Sequence, residues 1–398
     1  MYDNCNGPFS MKVAVYGSLG IARHVLDAAR VRGVEVAAVV DADRQRHGQT
    51  LCDYTVAPVS RLREVSFDGI VLATFDWQAA RDAISGVAGY THEALYDDVF
   101  WEPFFIQAEP TTKCTYSCPS CSRDTLPDGR RNRNMSFDDF ERLLTRFPTV
   151  KRLQLQGLGE PTLNPALIEM LRLSKDRGIN TSITTNASAL RRNIEGGLLK
   201  HLDKLIVSID TQGQRDIRQR YLTEIAPAFS ARTAGAPRVV FNFVVVGDNV
   251  DELALLYDFV TEASPDQLHI QFVENWYIEG QEGFESMSAF VGKSLEVESE
   301  ITAQVRAYSA RLAKSGIAVT YGGPQRRRGV CWWPFFGCFI SCDGFLTPCC
   351  IRMHPEVFNM GNALEEDIGG IWYGPAYAEL RRSMFSTNNS ILCGTCPQ

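Results

Sequence analysis

The sequence predicts an α/β chain: two successive β/α series, then a short cysteine-rich segment. Three observations predict it. Apolar, β-rich runs alternate with amphipathic helical stretches from residue 11 to about 290. The spans between runs are long enough for crossover helices, which implies parallel strands. The 12 cysteines are grouped, with none between Cys121 and Cys331.

The first series covers 11–98. KVAVYG (12–17) reads as a strand ending in glycine, and Ile21 to Arg32 as a helix with Ala22, Val25, Leu26 and Ala29 on one face. VEVAAVVDAD (34–43) and DGIVLAT (68–74) read as further strands, and WQAARDAISGV (77–87) as a helix. The turn from Gly17 to Arg23 is G-x-x-G, not the dinucleotide fingerprint G-x-G-x-x-G. Asp41 stands where a ribose-binding acid could be. Two readings stay open: a tight strand-to-helix turn, or a nucleotide or sugar-nucleotide site at the helix N-terminus.

The second series covers 101 to about 290. FFIQAEP (104–110) leads into Cys114, Cys118 and Cys121. MSFDDFERLLTRF (135–147) is a helix with Ser136 as N-cap. RLQLQGLGEPTL (152–163) is a strand and glycine-rich turn, and 165–178 a helix closed by Gly178. Strands follow at 180–187, 204–210, 238–249 and 267–275, with a helix at 253–263. Six strands alternating with helices fit a partial or closed β/α barrel, whose chemistry sits at the C-terminal strand ends. Glu160, Asn186, Asp210, Asn249 and Glu274 fall there. Residues 294–316 read as a connecting helix. The remainder, 317–398, is rich in Cys, Gly, Pro and aromatics, and a metal would hold it together.

Composition excludes several classes. Lys plus Arg is 40 against 47 Asp plus Glu, a net charge of −7, which argues against a basic nucleic-acid-binding face. No apolar run approaches the roughly 20 residues of a spanning helix, and the N-terminus has no signal-peptide pattern. These features predict a cytoplasmic protein with no membrane or nucleic-acid partner. Reduced cysteines grouped in such a chain point to metal ligation or catalysis.

Cys114-x3-Cys118-x2-Cys121 offers three thiolates in one loop. An iron–sulfur cluster usually takes four, so three leave one iron open. A zinc site would more often close with a fourth Cys or a His nearby.

This loop resembles that of the radical S-adenosylmethionine (SAM) superfamily. The resemblance implies a [4Fe–4S] cluster whose open iron is chelated by SAM, and a 5′-deoxyadenosyl radical that abstracts a hydrogen atom. Gly159-Glu160-Pro161 resembles the family's G-G-E loop, which holds the methionine amino group. Thr184, Thr185 and Asn186 resemble its T-N-G strand end, and Ser208 and Asp210 its S-x-D strand. Arg220 resembles an Arg near the SAM carboxylate. The residue before the third cysteine is usually bulky in that family. Here it is Ser120, so the adenine contact is expected from Phe272 or Tyr116.

Cys331-x12-Gly344-x4-Cys349 resembles the opening of the SPASM and twitch domains, and Cys393-x2-Cys396 follows. The resemblance is to the shorter twitch form. It implies a second, auxiliary [4Fe–4S] cluster on Cys331, Cys349, Cys393 and Cys396, with a four-thiolate zinc site as the competing reading. Cys338, Cys342 and Cys350 are left over. Cys338 and Cys342 are the candidate hydrogen-atom donors, the alternative being buried small hydrophobes.

The expected organisation is a Rossmann-like domain (1–100), a radical SAM partial (β/α)6 TIM barrel (101–293), a linker helix (294–316) and a twitch domain (317–398). The twitch form is similar to that of aminocyclitol dehydrogenases and sugar epimerases. It implies carbinol hydrogen abstraction from a sugar, aminocyclitol or nucleoside, giving epimerisation or dehydrogenation. The implied partners are a small polyol or nucleotide-linked substrate and a flavodoxin- or ferredoxin-type reductant. The alternative is a peptide or protein maturase that crosslinks or oxidises a side chain.

Overall fold

The computed structural model describes residues 12–74, 77–88, 103–210, 217–229, 236–246, 249, 252–322, 331 and 333–384. Cys5, Cys393 and Cys396 lie outside the described residues. The chain forms two compact units. One comprises Met1–Phe104, Arg328–Phe336 and Trp372–Asn389, the other Phe105–Arg327, Gly337–Ile371 and Ser390–Gln398.

The first unit contains β1 (Lys12–Tyr16), β2 (Glu35–Asp41), β3 (Thr50–Leu51), β4 (Tyr54–Pro58) and β5 (Gly69–Leu72). They lie in the order β3-β4-β2-β1-β5. All pairs are parallel except β3 with β4. Val13, Ala14 and Val15 of the central strand are fully buried. Two-sided burial is the reason this stretch is apolar without alternation. Helix Gly20–Arg32 supplies the crossover from β1 to β2, and helix Trp77–Ala88 follows β5. Gly33, at φ 68°, closes the first by donating to Ala29 and Arg30 carbonyls.

The second unit is built on a nine-stranded sheet: β6 (Phe105–Ala108), β7 (Arg152–Leu155), β8 (Asn180–Thr185), β9 (Lys204–Ser208), β10 (Arg238–Val245), β11 (Gln267–Phe272), β12 (Ala318–Gly322), β13 (Gly337–Ile340) and β14 (Leu346–Thr347). Its order is β12-β11-β10-β9-β8-β7-β6-β13-β14. The six expected strands, β6 to β11, follow one another in parallel. Ser136 caps helix Phe137–Arg146 by accepting from Asp139 N at 3.1 Å.

Two features differ from expectation. The connecting helix of 294–316 is instead two helices, Phe284–Glu296 and Glu298–Leu312. A tight turn then reverses the chain at Gly316 (φ 75°) into β12, which pairs parallel with β11. In the cysteine-rich segment, β13 pairs parallel with β6. Both edges of the six-strand series are thus covered by strands from later in the chain, which leaves fewer unpaired backbone groups.

The residues of β8, β9 and β11 alternate between fully and partly buried. Ile183, Leu205, Val207, Leu268 and Ile270 form the buried apolar face. The opposite face carries polar residues, because successive side chains point to opposite sides. This face builds the cavity described next.

Candidate cofactor site and cavity

The loop after β6 carries Cys114, Cys118 and Cys121, all partly buried. Cys121 N donates to Cys118 O at 3.0 Å, a tight turn that sets the last two cysteines close. Burial raises Cys118 to about 12, reinforced by negative charge on Cys121, Asp210 and Cys114. Burial also raises Cys121 to about 11, although the Arg123 N–H opposes it. Cys114 is raised by burial and by Glu160, against hydrogen bonds from the Tyr116 and Thr115 N–H groups. Thiols that oppose one another's ionisation suit a bound cationic body, which reverses that penalty. Among the described residues no three Cys, His, Asp or Glu side chains converge on a single point as one bound ion would require.

The glycine-rich turn after β7 packs against the backbone just ahead of Cys114. A Cβ on Gly159 would stand 2.2 Å from Thr111 O and 2.7 Å from Lys113 O. No side chain fits there. Glu160 N donates to Lys113 O at 2.7 Å, which ties the turn to the cysteine loop.

Glu160 is 2% exposed. Its Oε1 accepts from Thr162 N (3.1 Å), Thr162 Oγ1 (2.5 Å) and Thr185 Oγ1 (2.6 Å), and its Oε2 from Asn186 N (2.6 Å). Burial nonetheless raises its pKa, because every donor is neutral. The carboxylate therefore stitches the turn to the end of β8 and keeps a lone pair on Oε2 for a further donor.

Asn186 then makes three contacts. Beyond its N–H to Glu160, its Oδ1 accepts from Ser188 N (2.9 Å) and its Nδ2 donates to Cys114 Sγ (3.5 Å). Thr184 Oγ1 donates to Gln156 Oε1 at 2.6 Å. Ser208 ends β9, and Asp210 follows within electrostatic reach of Cys118. Arg220 Nη2 donates to the Tyr116 hydroxyl at 3.0 Å. Asn249 is committed to its own turn, accepting from Val246 N and donating to Val244 O, both at 2.9 Å.

Two residues not expected from sequence also contact the loops of this site. Trp276 Nε1 donates to Ser120 O at 2.8 Å, which places an indole beside the small residue preceding Cys121. The signal for it was an aromatic following the strand-end acid Glu274. Glu109 is the second. Its Oε1 accepts from Leu158 N (2.8 Å) and its Oε2 from Cys342 N (3.2 Å), so it links the loops after β6, β7 and β13. Arg130 lies 3.6 Å from Glu109 and also bonds Asp343 and Glu356.

The polar face of the sheet lines a cavity of about 420 Å³. Gln107, Gln154, Gln156, Thr184, Asn242, His269 and Gln271 line it, with Lys204 at the strand N-terminal end. Phe272, Glu274, Trp276 and Cys350 contribute from the other end. Burial and Cys349 raise Glu274 to about 7, with Arg352 partly offsetting.

The expected hydrogen donors are not on this wall. Cys338 sits in β13 between β6 and β14, completely buried, and burial raises its thiol. Cys342 is 4% exposed, beside Glu109 and Asp343, and burial again raises it. Of the three spare thiols, Cys350 alone lines the cavity. Its thiol also bonds the Cys349 sulfur, so Cys350 joins the cavity wall to the surroundings of Cys349.

Cys349 is held down to about 7 by the Cys350 thiol, against burial, and by Ile351 N and Arg352 N, each 3.4 Å from its sulfur. Such donors favour the thiolate, the form that ligates metal. Cys331 belongs to the first unit and Cys349 to the second.

Residues 108–260 match the model of the radical SAM superfamily, and 331–397 that of SPASM, an iron–sulfur cluster-binding domain. The chain belongs to the radical SAM superfamily. As a radical SAM protein with a SPASM domain, it uses SAM and iron–sulfur clusters. The PqqA peptide cyclase of Ruegeria pomeroyi is 23% identical over 292 residues, 70% of this chain and 76% of that protein. The tungsten-containing aldehyde ferredoxin oxidoreductase cofactor-modifying protein of Pyrococcus furiosus is 31% identical over 108 residues, 26% of this chain and 29% of that one. The chain thus spans under a third of the latter's length. Two solved structures share the fold. Streptococcus suis SuiB bound to S-adenosylmethionine has a TM-score of 0.55 at 18% identity, covering 80% of this chain and 75% of that one. Hexahistidine-tagged anSMEcpe with bound AdoMet has a TM-score of 0.51 at 15% identity, covering 72% and 81%. Among the described residues no helix is long and apolar enough to cross a membrane.

Proposed function

We propose that this radical SAM protein removes a carbinol hydrogen from a sugar, aminocyclitol or nucleoside, leading to epimerisation or dehydrogenation. The observation that carries this reading is the cavity. It is small, about 420 Å³, and its wall is rich in neutral carboxamides. A carboxamide both donates and accepts, as does a hydroxyl, so the wall suits a polyhydroxylated ligand.

In this reading Cys114, Cys118 and Cys121 hold the SAM-binding cluster. Gly159, Glu160, Thr184, Asn186, Ser208, Asp210 and Arg220 position SAM. Cys331, Cys349, Cys393 and Cys396 hold the auxiliary cluster. Bound SAM and its cluster supply a 5′-deoxyadenosyl radical. Trp276 braces the loop at Ser120 and faces the same cavity. In an epimerisation Cys350, which lines the cavity, returns the hydrogen atom in this reading, in place of Cys338 or Cys342. We place the enzyme in the cytoplasm, with a flavodoxin- or ferredoxin-type reductant.

Turnover of candidate sugars in deuterium oxide tests the reading. Solvent deuterium at an inverted carbon, lost in Cys350→Ala with iron content retained, establishes epimerisation. A ketone without exchange establishes dehydrogenation. Polyols that never raise 5′-deoxyadenosine above its unstimulated level, alongside a peptide that does, overturn it. That second reading, a peptide maturase, is favoured by the similarity to the PqqA peptide cyclase.

A further inference from the structure

Among the described residues one carboxylate lines the cavity, and Arg352 acts on it through charge without a direct ion pair. Glu274 follows β11 at the C-terminal end of the strands. Among the described residues it makes no hydrogen bond and no ion pair. Arg352 is within electrostatic range, but its Nη1 donates to Asn275 O at 2.5 Å.

The rest of the wall makes this acid conspicuous by charge. Gln107 and Gln154 stand side by side in register on β6 and β7, and Asn242 beside His269 on β10 and β11. Gln156 and Gln271 extend the neutral belt. The lysine lining the cavity, Lys204, is in register with Arg238, two positions before the level at which Val240 meets Gln267. Glu274 lies seven residues beyond Gln267 along the chain. At about 3.3 Å per residue, the two charges are at opposite ends and do not neutralise each other.

We propose that Glu274 recognises an ammonium group, so that the substrate is an aminated polyol with its amine toward the C-terminal end of the strands. The inference rests on the polyol reading and narrows it. A partly buried carboxylate loses hydration that Arg352 offsets only in part, and a ligand cation makes up the remainder through charge-assisted hydrogen bonds. The carboxamides meet the hydroxyls, while a phosphate or carboxylate at that end would face the Glu274 charge.

The test is equilibrium binding to the reconstituted, SAM-loaded full chain, with glucosamine and galactosamine each compared with its parent hexose. The amino sugars are expected to bind about ten- to a hundred-fold tighter than the hexoses, the range for a charge-assisted contact. Glu274→Gln should erase that preference while leaving SAM affinity and iron content unchanged. Glu274→Asp, which keeps the charge on a shorter arm, should retain part of it. Equal binding of amino sugar and hexose overturns the ammonium assignment and leaves the polyol reading intact. A preference that survives Glu274→Gln overturns the role of Glu274. Failure of all four sugars to bind overturns the polyol reading and this inference together.

Discussion

Each unit of this protein has a strand-to-helix turn rich in glycine and served by a buried acid, yet the two acids are treated differently. In the first unit Asp41 accepts from Ser18 Oγ (2.5 Å), Asp43 N (2.9 Å) and Arg46 Nη1 (3.1 Å). Burial works against its ionisation, but the Ser18, Asp43 and Arg46 contacts outweigh it and lower the carboxyl below its ordinary value. The acid at a position suited to a ribose is committed to its own turn, with a guanidinium to balance it. In the second unit Glu160 receives neutral donors only, beside thiols that resist ionisation. The difference teaches that strand-end acids mark function by charge imbalance and not by position. A balanced acid holds a turn. An unbalanced group of acid and thiols awaits positive charge, here iron and a sulfonium.

The largest effect expected from this contrast is the loss of one loop thiol. Cys118→Ala should lower iron in the reconstituted protein by about four per chain and abolish 5′-deoxyadenosine formation. Iron assay and product chromatography check both. Retention of full iron would mean that the anionic excess does not serve a cluster.

Glycine substitutions sharpen the same comparison. Gly159→Ala drives a Cβ into the Thr111 and Lys113 carbonyls, which are backbone and cannot rotate away. Overpacking of this kind costs roughly 3 kcal/mol and should displace the cysteine loop. The counterpart, Gly20→Ala, meets nothing within 4 Å and lies in a helix, where alanine gains up to about 1 kcal/mol. Thermal melts of the two variants should therefore shift in opposite directions.

The pattern that reveals these turns is local, which is why the strands and the turns after them were legible. Strands β6 to β11 announce themselves as β-branched and apolar runs, and Glu160 and Asn186 follow them directly. What escaped depended on distant pairing. β13 is four residues, Gly337–Ile340, whose partner β6 lies more than two hundred residues earlier. β12 is partly exposed along its length, so it has no buried signature of its own. Cys338 and Cys342 looked available because thiols near a cluster loop invite chemistry, yet pairing of β13 with β6 buries the first. Trp276 and Glu109 act through loops brought together only by the sheet.

Asp41 provides a pH test of the balanced acid. A lowered folded pKa contributes stability that is complete above the ordinary carboxylate value, about pH 4, and is lost as pH falls through the folded value. Asp41→Asn should remove about 2 kcal/mol near neutrality by breaking the charge-assisted bonds to Ser18 and Arg46. It should also flatten the acid limb of the unfolding profile, as followed by circular dichroism. SAM affinity should not change, because Asp41 is part of a turn and not of the cofactor site.

The smallest effect concerns the residue after Asn186. Ala187 has φ 62°, the left-handed region that disfavours a Cβ, and it is 2% exposed. Three contacts hold it there: Asn186 N to Glu160, Ala187 N to Thr185 Oγ1 (2.9 Å) and Ser188 N to Asn186 Oδ1. A left-handed alanine costs about 1–2 kcal/mol, and glycine gives back part of that through its greater unfolded-state entropy. Ala187→Gly should therefore stabilise the protein by roughly 0.5–1 kcal/mol, read as a small rise in the denaturant midpoint. If the strain positions Asn186 against Cys114, the same variant should loosen the Asn186 to Cys114 contact and weaken SAM binding slightly as stability rises. If the strain only closes the turn, stability should rise with SAM affinity unchanged. The two readouts together separate strain that serves the cofactor site from strain that serves the fold.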